Sequence, residues 1–150
     1  MIVYRQISPR RVGLGVVAWA VGVGFLLFVA SSVHHVGVSE SMQTTAYLVA
    51  GLLTATLGLW LGWRHRTGTA FAAPVLAWVV WVPFAFATEF IQRGFFSGLW
   101  HGFLLASFGG FLIAFVEGLI LVSFAILGRI AAAALHHDEG TTVILPPRAG

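Results

Sequence analysis

The sequence predicts an all-α membrane protein: four transmembrane helices, N-in and C-in, with an interfacial or re-entrant segment before the last helix. Three observations predict it. The first is composition: 59% of the 150 residues are hydrophobic and only 9% are charged, where a soluble domain carries about 25% charged residues. Mean hydropathy is +0.94. Too few polar side chains exist to cover a water-exposed globule, and a bilayer removes that difficulty. The second is that the apolar residues gather into runs close to the roughly 20 residues needed to cross the hydrocarbon core. The third is the placement of arginine between those runs.

The first span is read at residues 12–33, VGLGVVAWAVGVGFLLFVASSV. Arg5, Arg10 and Arg11 precede it, as in the positive end of a signal peptide. The run is longer than a signal's apolar region of about 7–15 residues and further spans follow, so it is read as retained. The second span is 45–63 and the third 70–88, which contains Pro74 and Pro83. Proline is tolerated in lipid where neighbours satisfy the freed carbonyl. Between the third and fourth spans, Glu89 and Arg93 stand at i,i+4 and pair if the third helix extends past residue 88, a contact worth about 0.2–0.5 kcal/mol.

The region 95–135 is apolar almost throughout and too long for one upright span: as a single helix it measures about 60 Å, against a core of about 30 Å. Two readings compete. Either a span near 109–128 follows an interfacial or re-entrant segment, FFSGLWHGFLLAS, or two spans meet in a turn at Glu117-Gly118. A long tilted helix is a further possibility for 95–108. The two-span reading places Arg129 inside a fifth span, where a charge is costly. The four-span reading puts Arg5, Arg10, Arg11, Arg64, Arg66 and Arg129 on one side and Arg93 on the other. That asymmetry places both termini in the cytoplasm by the positive-inside rule, and four spans are favoured.

The same region holds the most ordered pattern in the chain. Gly98, Gly102, Ala106, Gly110, Ala114 and Gly118 recur at every fourth position, a ridge of small residues along one helix face. Small residues let helix backbones approach closely, and such contact drives association in lipid. A second ladder, Ala50, Thr54, Gly58 and Gly62, runs down the second span, and Ala18/Gly22 and Ala20/Gly24 mark the first. The ridge implies tight packing within the bundle or against another chain.

Glu117 shares roughly that face. It lies about 18 Å from Arg129 along the helix, near mid-membrane, with no arginine at its depth in another span. The neutral acid is the expected species there, since an unpaired charge in hydrocarbon is costly, and it can donate a hydrogen bond to another helix. Thr54 and Thr56 lie at similar depth, with the Trp78 and Trp81 indoles nearby. Two roles follow: interhelical hydrogen bonding, or a proton or substrate site in a small transporter or channel. The missing second buried charge favours the first.

Other chemistry finds little support. HExxH, GxSxG and phosphate-binding loop motifs are absent, so a non-enzymatic chain is favoured. No cysteine exists for disulfides or thiolate sites. The eight arginines are dispersed, which excludes a nucleic-acid footprint. A haem-bearing anchor would need histidines meeting at one depth. His35 with His101 is the best pairing, but no HxxxH spacing supports it, and neither cofactor nor metal is expected. Trp60, Trp63, Trp100, Tyr4 and Tyr47 read as interface anchors. The chain is expected to form one four-helix domain over residues 1–135, with a flexible cytoplasmic tail at 136–150. The expected setting is the cell membrane and its lipid, and the expected role an accessory subunit that packs against its own copies or other membrane chains.

Overall fold

The computed structural model describes residues 9–32 and 40–139. It contains α1 (Pro9–Ser32), α2 (Glu40–Trp63), α3 (Thr67–Arg93), α4 (Phe95–Leu104), a π-helical turn (Leu105–Gly109) and α5 (Gly110–Glu139). There are four helical runs long and apolar enough to cross a membrane among the described residues: α1, α2, α3, and α4 with α5 taken together. Large apolar side chains such as Leu14, Val75, Phe96 and Phe108 lie exposed on their outer faces, where a soluble protein would carry charge.

The helices form a square in which neighbours in sequence are not always neighbours in space. Trp19 of α1 bonds to Thr54 of α2 and Gly15 faces Trp60, so these two helices are antiparallel. Ala20 meets Trp81 and Ser31 meets Thr88, so α1 and α3 are parallel. Gly58 lies against Leu121 and Gly62 against Ala125, so α2 and α5 are also parallel. Packing runs around the square as α1–α2–α5–α3, while α2 and α3 hold a diagonal and touch little.

Short turns with defined backbone make this possible. After α2, the His65 N–H donates to the Gly62 carbonyl (3.0 Å) and the Arg66 N–H to the Leu61 carbonyl (2.8 Å). This is the Schellman pattern, with His65 left-handed at φ 55°, a position where glycine is usual. After α3 a single residue, Gly94, at φ 73° and ψ 177°, reverses the chain in a region open essentially to glycine alone. Helix α3 runs through both prolines and on to Arg93, and Glu89 and Arg93 form the expected pair at 2.8 Å.

The segment before the last span is a helix in its own right and does not turn back. A Cβ on Gly98 would stand 2.6 Å from the Phe90 ring, one on Gly102 2.6 Å from Phe86, one on Gly110 3.2 Å from Trp78 and one on Gly118 3.0 Å from Pro74. The small-residue ridge therefore lies on α3 from end to end, within the chain, and is not free for a partner. A four-residue step overshoots a 3.6-residue turn by about 40°, so the five steps from Gly98 to Gly118 would wind the ridge off α3. The wider π turn, set midway along the ridge, offsets part of that drift. Its Ala106 carbonyl accepts the Trp78 indole N–H at 2.7 Å. The remaining drift brings Glu117, Leu121 and Ala125 round toward α2. No turn occurs at Glu117-Gly118, which lies inside α5.

The arginines segregate. Antiparallel α1 and α2 place Arg10 and Arg11 at the same end as Arg64 and Arg66, and Arg129 reaches Thr67 at that end too, at 3.5 Å. Arg93 lies at the opposite end with Glu89.

Candidate functional site

Glu117 sits where α1, α2 and α5 meet. The buried face of α1 presents Val16, Trp19, Ala20 and Val23. The α2 ladder of Ala50, Thr54, Gly58 and Gly62 is buried throughout and leaves room for a carboxyl group beside Thr54. Glu117 is 7% exposed, between the buried Ala114 and Leu121.

One hydroxyl organises the site. Thr54 Oγ1 donates to the Ala50 carbonyl at 2.9 Å and accepts the Trp19 Nε1–H at 3.0 Å. The Glu117 carboxyl lies beside the same hydroxyl. A threonine hydroxyl has one proton and two acceptor lone pairs. Here the proton is on the Ala50 carbonyl and one lone pair accepts from Trp19. Glu117 Oε2 is buried with no hydrogen-bond partner. Glu89 and Glu117 are the buried ionisable side chains among the described residues, and Glu89 is held by Arg93.

The sequence-derived neighbours divide. Thr54 joins Glu117, whereas Thr56 lies on the exposed face of α2 and donates to the Leu52 carbonyl at 2.8 Å. Trp78 and Trp81 spend their N–H groups on the Ala106 (2.7 Å) and Ala20 (2.8 Å) carbonyls and do not reach Glu117. Trp19 is the member that sequence reasoning missed. The signal was present, since a lone indole amid an apolar span needs an acceptor and Trp19 and Thr54 come level once α1 and α2 are set antiparallel. Of the packing residues, Ala20 and Gly24 turn inward, with a Cβ on Gly24 2.6 Å from Trp81, while Ala18 is exposed and Gly22 faces open space.

His101 Nδ1 lies 2.8 Å from the Ser97 carbonyl, one turn away on its own helix. His35, the other half of the haem reading, and Tyr4 fall outside the described residues. No group of three or more metal-ligating side chains forms among the described residues.

Four apolar helical runs enclosing one polar cluster define a membrane protein of helical-bundle type. No protein-family model, curated protein or solved structure matches the chain.

Proposed function

We propose that the protein is a small multi-pass protein of the cell membrane, N-in and C-in, acting as a non-enzymatic subunit that assembles with its own copies or other membrane chains. The arginine-rich end formed by Arg10, Arg11, Arg64, Arg66 and Arg129 supports this orientation through the positive-inside rule. The observation that carries the assembly reading is α4. This helix packs chiefly on α3, so its outer face stays free, with Phe96 87% and Trp100 63% exposed. Large aromatic anchors of this kind are enriched where proteins meet.

The chain has no cysteine, so single-cysteine variants report proximity without background. Oxidation of Phe96→Cys or Trp100→Cys in native membranes should give crosslinks, to a second copy or another membrane chain, that Val75→Cys does not. A monomer at all three positions overturns the assembly reading.

A second reading, a small proton-coupled transporter or channel, is favoured by one observation: Glu117 Oε2 is buried without a partner. An unsatisfied buried oxygen costs about 1–3 kcal/mol, and intramembrane carboxyls of this kind commonly serve ion pathways. In vesicles carrying a pH gradient, Glu117→Gln should then abolish proton-coupled flux. Unchanged flux removes this reading.

A further inference from the structure

Above the Glu117 cluster, toward the Arg93 end, the square opens. Helix α4 follows α3 and makes at most marginal contact with α1 and α2, so beyond the π turn α2 loses the neighbour that α5 provided. At this level lies a partly open cleft of about 200 Å³, with Phe28 and Trp81 on its inner side, Trp78, Leu105 and Ile113 along the π-turn wall, and Tyr47 of α2 opposite. Tyr47 is 49% exposed, which places it at the rim.

The chemistry of the lining is one-sided. Trp78 Nε1–H is committed to the Ala106 carbonyl (2.7 Å) and Trp81 Nε1–H to the Ala20 carbonyl (2.8 Å). The Thr88 and Ser31 hydroxyls donate to the Phe84 (2.9 Å) and Phe28 (3.0 Å) carbonyls of their own helices. These four donors are therefore taken, and acceptor groups of a polar solute among them would go unpaired. Apolar cavities of about 150 Å³ stay dry and take hydrocarbon. An empty cleft forfeits dispersion contacts along its walls. In a bilayer those contacts, not the hydrophobic effect, drive occupancy.

We propose that the cleft between α2 and the π turn is a lipid-tail site, holding the hydrocarbon chain of one membrane lipid that enters from the bilayer through the gap between α2 and α4. Its occupant is a chain of the surrounding phospholipid, recognised by shape and aromatic walls and not by headgroup. The site is separate from the Glu117 cluster and from the outer face of α4.

The test uses the full chain in phosphatidylcholine–phosphatidylglycerol vesicles containing a trace of phosphatidylcholine with a diazirine along one acyl chain. After irradiation, adducts are mapped by peptide mass spectrometry. Leu105 and Ile113 should carry more label than Phe71 and Val75, which face bulk lipid. Filling the cleft by Ala85→Phe, or independently by Ser31→Leu, should reduce the cleft adducts about tenfold, a loss of about 1.4 kcal/mol, and leave those on Phe71 unchanged. Helicity and Tm identify the variant that keeps its fold. Equal labelling of cleft and outer face overturns the proposal, as does labelling that persists in the folded variant. Rapid reaction of Ile113→Cys with a membrane-impermeant maleimide also overturns it, because the cleft would then be wet.

Discussion

Replacing Gly62 with alanine tests the tightest glycine contact among the described residues. A Cβ at Gly62 would collide with the Ala125 carbonyl oxygen and stand 2.7 Å and 2.9 Å from the Ala125 carbonyl carbon and Cα. Carbon atoms rest at about 3.5–4.0 Å, so the two helices must part by about 1 Å, and a gap of that size forfeits up to half of the dispersion well at each contact. The obstruction is backbone and cannot swing aside. Overpacking of this sort costs about 1–3 kcal/mol, and Gly62→Ala belongs at the upper end. Gly22 supplies the control, because a Cβ there meets nothing within 4 Å and alanine is the better helix former by about 1 kcal/mol. Gly102→Ala falls between them, since the obstruction is the Phe86 ring at 2.6 Å, a side chain able to rotate. The assay is reversible unfolding in mixed micelles followed by far-UV circular dichroism. The expected order of stability is Gly22→Ala at or above the parent, then Gly102→Ala, then Gly62→Ala. Equal effects at Gly62 and Gly22 would refute the reasoning, because they would show that α2 and α5 do not meet as described.

Glu117→Leu should be nearly neutral or stabilising in the same assay. It removes an unpaired oxygen costing about 1–3 kcal/mol and leaves Thr54 satisfied by Trp19 and Ala50; a loss above about 2 kcal/mol would make the carboxyl a net source of stability. Trp19→Phe should cost about 1 kcal/mol through the lost bond to Thr54, together with a change in the indole emission, and a stability equal to the parent would deny that bond. His65→Gly should raise stability by about 1 kcal/mol by relieving a left-handed side-chain residue, with no change in helicity. Gly94→Ala should cost about 1–3 kcal/mol because its φ of 73° and ψ of 177° must change; a silent substitution there would contradict the one-residue reversal between α3 and α4.

Much of this was legible in the sequence, for physical reasons. The four helical runs follow from the length of apolar segment a bilayer demands, and the Glu89–Arg93 contact from helical spacing. The α2 ladder and the depth of Thr54 beside Glu117 follow from the rise of a helix. What a single sequence does not carry is which helices become neighbours. The four-residue spacing marks the glycine ridge as a packing face, but its occupant, α3, depends on the one-residue reversal at Gly94. Depth alone pairs Thr56 with Thr54, whereas the rotation of α2 about its axis turns Thr56 outward. The π turn also left a trace: a four-residue repeat this long cannot stay on one face of a straight α-helix. Trp78 then fixes the turn through a carbonyl that no sequence pattern marks.

The diagonal placement of α2 and α3 has a consequence for biogenesis. The main packing partner of α2 is α5, which leaves the ribosome only after α3 and α4 have been made. Until then Gly58 and Gly62 line a groove against lipid without α5 in it, and an α2–α3 hairpin offers little contact to hold the pair together. Assembly of the bundle therefore waits on the last span, and truncation before Gly110 should leave three inserted helices that never close.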